Sequence, residues 1–318
     1  FPPLFYLIYG TILKINKSLF AVRIFTALLS IILLIIFFYF IKNIYDKSKA
    51  LFFTLLFAIN PMNIIYSQHA RPYILLMIFY VLSLWFSYRI ITRNNKKDYI
   101  LLSLVYLVSL YTHYYTIFFI ITQIIFLFYF NFKIKRINIK LFMLCLLIVL
   151  SIFSLWLPIF FQQYDYIINQ GHFALGKLKF IEIPHPLYKM SIMADLSSTL
   201  IRKVPYILIS SIVINILMLI GIVKLFRINK IKGLFFGTSF IGFFLLSAFL
   251  GLFIPIYSYR YISILLPLFI FYLNIGLDQK NKLVRNILFL IVILSWILVI
   301  VHYFSVSNIR LWRDDYAV

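Results

Sequence analysis

Cysteine, acidic residues and glycine are all scarce in this sequence: one cysteine, eight Asp plus Glu and nine glycines in 318 residues. Cys145 stands alone in the apolar run 141–152, so it has no partner for a disulfide and no companions for a thiolate metal site. Charged residues make up 12%, about half the share of a soluble domain, and 64% of the chain is hydrophobic. Together these exclude a soluble globular fold. No Walker sequence, GxGxxG, HExxH or GxSxG motif is present, and no repeat of 20 to 50 residues. Those absences set aside the common nucleotide-binding, zinc-protease and serine-hydrolase readings.

What fills the chain instead is long apolar runs. A hydrocarbon core of about 30 Å takes about 20 helical residues to cross. Runs of roughly that length lie at 18–41, 50–66, 73–88, 141–161, 205–223, 234–254, 261–277 and 286–304. The stretch Tyr99 to Phe130 is too long for one span and short for two. Basic clusters flank it on both sides (Arg89, Arg93, Lys96, Lys97 before; Lys133, Lys135, Arg136, Lys140 after), and the positive-inside rule places both in the cytoplasm. Two short spans meeting near Thr112-His113-Tyr114 satisfy that rule. The expected fold is therefore an all-α, polytopic transmembrane bundle of about ten spans.

The net charge of +22 would suggest a nucleic-acid partner in a soluble protein. Sorted by loop, 18 of the 30 basic residues fall in 42–49, 89–97, 133–140, 224–232 and 280–285, all on one side of the expected bundle. They read as cytoplasmic loops, and no nucleic-acid partner is expected. The opposite loops hold the chain start, the bend Ser67 to Pro72, the turn at His113, a long loop 162–203, the turn Pro255 to Arg260 and the region 305–318. The expected location is the plasma membrane, with both ends of the chain on its outer side. The chain opens at Phe1-Pro2-Pro3-Leu4 without the basic flank or cleavage site of a signal peptide, and reads as a fragment of a longer protein.

Polar residues gather at the outer span ends. The segment Asn60-Pro61 to Pro72-Tyr73 brings His69 and Arg71, whose planar guanidinium suits a phosphate. Tyr257, Tyr259, Arg260 and Tyr261 form a second such group, His113 a third, and Arg23, near the start of the first long run, a fourth. Each residue would equally serve an interfacial belt of snorkelling arginines and amphipathic aromatics. Asp165, Glu182 and Asp195 are the outer carboxylates before the last ten residues, and so the candidates for a general base. Their spacing forms no motif.

Taken in order, Phe1-Pro2-Pro3-Leu4-Phe5-Tyr6, Arg23, Asn60-Pro61 to Ala70-Arg71-Pro72-Tyr73, Tyr111-Thr112-His113-Tyr114, Tyr259-Arg260-Tyr261 with Pro267, and Leu311-Trp312-Arg313-Asp314 resemble the dolichyl-phosphate-mannose protein mannosyltransferase-like glycosyltransferases of GT-C fold, which include aminoarabinose transferases. The resemblance implies a sugar donor on a polyprenyl phosphate, and a glycan, lipid or protein acceptor in the cell envelope. It also implies transfer at the outer membrane face with inversion at the anomeric carbon, amid contacts with membrane lipids. By this similarity Arg71 and Arg260 bind the donor phosphate, and His69, His113, Tyr257, Tyr261 and Arg23 line the cavity. The resemblance puts the catalytic carboxylate in a loop before the Pro-Pro-Leu stretch. No catalytic residue is therefore assigned within the chain, and the piece alone is expected to be inactive. Some relatives use a divalent metal; no ligand set stands out here, and no other cofactor is implied. Relatives also continue into an outer soluble domain, of which 305–318 would be the start. Two other classes fit the composition: a secondary transporter or lipid flippase, which the few glycines and the lack of mid-span acids disfavour, and a non-catalytic membrane scaffold.

Overall fold

A computed structural model describes residues 2–15, 17–169, 178–193, 206–254 and 256–310. Asp195, His172, Lys203, Pro255 and the stretch 311–318, with Trp312, Arg313, Asp314 and Asp315, lie outside the described residues. Regular structure among the described residues is helical throughout. Among the described residues seven helices are long and apolar enough to cross a membrane, and two bent pairs raise the number to nine. This corrects the ten spans expected from the sequence.

The difference lies in the stretch from Tyr99 to Phe130, which does divide near His113. Its first half is α6 (Lys96–Leu110), 15 residues long. At 1.5 Å per residue that is about 22 Å, short of a bilayer core. It opens on Lys96-Lys97-Asp98, and the Asp98 carboxylate is fully buried against Arg89 at 3.0 Å. A short 3-10 turn at Tyr114–Thr116 then leads into α7 (Ile117–Ile134), and together these make one span.

The chain begins with α1 (Pro3–Ile15), a short apolar helix, followed by α2 (Leu19–Lys42). Phe5 and Tyr9 pack with Val22 of α2, the Tyr9 hydroxyl lies 2.7 Å from Thr26 Oγ1, and Leu4 N–H donates to the Tyr111 carbonyl at 2.9 Å. So α1 is fastened to α2 and to the end of α6. Next come α3 (Lys47–Ala58) and α4 (Pro61–Ser67), bent by 65°. The motif Asn60-Pro61 explains the bend. Proline lacks the N–H that would continue α3, while Asn60 Oδ1 accepts from Met62 N and Asn63 N to start a new helix. The second bent pair, α8 (Ile139–Ser154) and α9 (Leu157–Asn169), turns by 55° ahead of Pro158. The segment expected to be loop from Gln162 is therefore helical as far as Asn169, and it includes a further short helix, α10 (His185–Ile192).

The remaining spans are α11 (Tyr206–Ile228), a run made of α12 (Lys230–Gly237), a π-turn Thr238–Gly242 and α13 (Phe243–Phe253), then α14 (Tyr259–Ile262) leading through Ser263–Leu265 into α15 (Leu266–Leu277), and α16 (Lys282–Arg310). Every residue of α15 is buried, so it forms the bundle's centre. Ile209, Ile212, Ile216 and Leu219 of α11 point outward, as apolar side chains facing lipid do. One set of polar groups inside the bundle pairs internally, as a medium without water favours. Gln123 Nε2 donates to Ser83 Oγ, its Oε1 accepts from Ser87 and Tyr106, and the carbonyl of Ser239 in the π-turn accepts from the Tyr80 hydroxyl at 2.9 Å. Helix α5 (Tyr73–Arg93) runs the bundle's height, about 30 Å. Its first residue belongs to the site described next, its last to the end where the five basic segments gather.

Candidate active site

The start of α5 walls a small cavity of about 40 Å³, lined by Phe5, Tyr6, Arg71, Pro72, Tyr73, Thr112, His113 and Tyr261. A cavity needs only about 10–15 Å³ to hold one water. This one has room for a few waters or one small polar group and none for a long chain. Four separate stretches of sequence build it: α1, the turn between α4 and α5, the turn after α6, and α14.

Each stretch is shaped locally. The Arg71 N–H donates to the His69 carbonyl at 2.8 Å, and Pro72 cannot donate, so the turn is tight and ends where α5 starts. His113 has an extended backbone (φ −162°) and starts the 3-10 turn by accepting from Tyr115 N–H through Nδ1 at 3.1 Å. With Nδ1 an acceptor, the neutral ring carries its proton on Nε2. Burial pushes the His113 pKa down to about 4, so the ring is neutral near pH 7. Its ring centroid lies 4.8 Å from that of Tyr261.

Arg71 is the one lining residue that carries a charge near neutral pH. Burial raises the Tyr6 hydroxyl pKa, and the nearby Arg71 only partly offsets this, so Tyr6 keeps its proton. The site offers a fixed cation with hydroxyl and imidazole donors among aromatic walls. That donor set suits an anionic oxygen group. It does not fit a divalent cation, which needs several oxygen ligands where this site has a guanidinium. Among the described residues no three His, Cys, Asp or Glu side chains stand together as a metal site would require.

The family described as dolichyl-phosphate-mannose-protein mannosyltransferase matches over residues 1–159, half of the chain. The matched region supplies every lining residue except Tyr261. The chain belongs to that family. It is thereby a membrane glycosyltransferase of GT-C type. No curated protein and no solved structure matches it.

In this mannosyltransferase-family fold, Arg71, His113 and Tyr261 line one cavity, whereas the other four candidates are not among its lining residues. Arg260 is exposed, its Nε 3.5 Å from the Tyr259 hydroxyl, yet near enough to Tyr73 and Tyr261 to act on both electrostatically, as Arg71 does. His69 contributes its carbonyl to the Arg71 turn, with its ring 6.1 Å from Tyr66. Tyr257 donates its hydroxyl to the Ile183 carbonyl at 2.6 Å and so fastens the segment ahead of α10. Arg23 follows Val22 at the contact between α1 and α2. Of the outer carboxylates, Asp165 is exposed on α9 and Glu182 accepts from Lys179 N–H at 3.1 Å; neither lines the cavity.

Sequence reasoning passed over Phe5, Tyr6, Tyr73 and Thr112 as site residues. The signal for the first two is Pro2-Pro3, a proline pair placed to open a helix.

Proposed function

We propose that this glycosyltransferase moves a sugar from a polyprenyl-phosphate donor to a cell-envelope acceptor, with inversion, at the membrane face where the cavity opens, and that the donor phosphate docks on Arg71. The observation that carries this reading is the cavity itself: the Arg71 guanidinium, the Tyr6 hydroxyl and the His113 imidazole line one small space. The lipid chain would lie along the apolar outer surface.

As transfer proceeds, the bond between the anomeric carbon and the phosphate oxygen breaks and its electron pair passes to that oxygen. The acceptor oxygen bonds to the opposite face of the carbon and gives up its proton to a base. Charge therefore grows on the phosphate, where Arg71 is fixed in place to offset it. A donor held by apolar, aromatic walls acts more strongly than one in water. Arg260 reinforces the positive potential from the cavity's edge. The gathering of basic segments at the far end of the bundle supports an outer-facing cavity through the positive-inside rule, and with it a plasma-membrane location with both ends of the chain outside.

The test uses the intact protein in membranes, with polyprenyl-phosphate mannose as donor and release of polyprenyl phosphate as the readout. Arg71→Ala is expected to lower the rate at least about a hundredfold with unchanged protein yield. Release that needs the protein but not Arg71 would remove the phosphate assignment. Movement of the intact donor across the bilayer without sugar release would favour a flippase.

A further inference from the structure

The far end of α5 carries an arrangement that the transfer reaction does not use. Lys49, in the first turn of α3, and Lys232, in the first turn of α12, both place their ammonium 5.6 Å from the centroid of the Tyr45 ring. Lys232 also lies 5.9 Å from the Tyr88 ring of α5. Close by, Arg93 donates to the Asn43 side chain at 2.9 Å. Three cations from three helices thus crowd around two tyrosines.

Like charges repel, and the usual cure is an interleaved carboxylate. Two acids face this cluster. Asp46 has one oxygen committed to the Lys49 backbone N–H at 2.8 Å, where it caps α3, and Asp278 is exposed at the end of α15, near Tyr45. Among the described residues none of the three cations forms an ion pair; the pair present at this end is Arg89 with Asp98. The rings hold the ammoniums in place by cation–π attraction, and each ammonium has three donors, so N–H groups are left for another partner. Sharing one ring, the two lysines are no more than about 11 Å apart.

We infer that Lys49, Lys232 and Arg93 form a binding site for the anionic headgroup of a membrane phospholipid. The location favours a lipid: the cluster sits where α2 and α5 end and α3 and α12 begin, the depth at which headgroups lie, and amphipathic Tyr and Lys side chains anchor there. The phosphate of such a headgroup bridges cations that the fold holds together. This site is independent of the transfer reaction and of the reading of Arg71.

The experiment is a lipid titration of the intact, delipidated protein in detergent, with bound lipids counted by native mass spectrometry. Phosphatidylglycerol is expected to bind at least about fivefold tighter than phosphatidylcholine of the same chains. Lys49→Gln and Lys232→Gln should each weaken phosphatidylglycerol about fivefold, and the double variant should erase the preference. Lys232→Arg should keep it, and so should Lys14→Gln on α1. Equal binding of the two lipids, a preference that survives the double variant, or an equal loss with Lys14→Gln would overturn the site. Inorganic phosphate that competes at millimolar levels and needs the same two lysines would show a soluble ligand instead and overturn the lipid. Should the double variant fail to fold, the exposed Lys49→Gln alone decides.

Discussion

Gly221 and Gly276 each face the backbone of the other's helix. A Cβ on Gly221 would lie 1.9 Å from the Tyr272 carbonyl oxygen, and one on Gly276 would lie 1.9 Å from that of Leu217. The contact is reciprocal, so α11 and α15 touch main chain to main chain, as small residues permit inside membranes. Backbone cannot yield as a side-chain tip can. Gly221→Ala or Gly276→Ala is expected to cost about 3 kcal/mol or more, read as a lower midpoint of heat unfolding in detergent. The double variant should cost less than the two losses added, because the first methyl already parts the helices. Gly10→Ala, where nothing lies within 4 Å, is the control and should be neutral or slightly stabilising. Equal effects at all three glycines would refute the close crossing.

At the cavity, Arg71→Lys keeps the charge and loses the planar fork. It should recover only part of the transfer lost in Arg71→Ala. Tyr6→Phe removes one hydroxyl donor from a partly exposed side chain; a fall of about tenfold in transfer without a change in unfolding midpoint is expected. A full rate in Tyr6→Phe would take Tyr6 out of the site.

His113 gives the fold a pH dependence. Its pKa is about 4 in the folded protein and about 6.5 when solvated. Between those values the unfolded chain holds a proton that the folded chain does not, so stability falls as pH drops through that window. His113→Asn presents an amide oxygen near the place of Nδ1, keeps the turn, and does not titrate. Between pH 6.5 and 4.5 the parent should lose more of its unfolding midpoint than His113→Asn. Parallel curves would show that His113 does not govern this loss.

Arg89 and Asp98 offer a double-mutant cycle. Asp98 is fully buried, while Arg89 is a quarter exposed. Arg89→Leu strands a buried carboxylate and should cost about 3 kcal/mol. Asp98→Leu strands a guanidinium that already reaches solvent and should cost less. The double variant should be more stable than Arg89→Leu alone; simple addition of the two losses would deny the coupling.

How far these features could be read in the residues depends on their range. Asn60-Pro61 is a local signal, a cap followed by a residue that cannot continue the preceding helix, and the break fell where it stands. The division near His113 was legible from the charges on either side. The span count was not, because α6 runs from the Arg89 end to His113 at the cavity with only 15 residues, fewer than a bilayer core takes. The convergence of Arg71, His113 and Tyr261 followed from their common position at span ends. Tyr6 was hidden because its neighbours in the site, Arg71 and His113, lie far along the chain, and the glycine crossing was hidden because Gly221 and Gly276 lie in separate helices. Arg260 shares its sequence setting with Tyr261, yet one residue along a helix turns the side chain by about 100°, enough to take it from the wall to the edge.

The two helix bends and the 3-10 turns at Tyr114–Thr116 and Ser263–Leu265 all fall at the cavity's end of the bundle. At the opposite end helices finish at Asn43 and Asn94 and start at the asparagine caps Asn95, Asn138 and Asn229. Straight rods packed side by side leave no vacant ground between them. Here two spans bend, by 65° and 55°, and the cavity is walled by turns and short helices. Changing the side chains around it would therefore alter which molecule is welcome while leaving the basin that receives it in place.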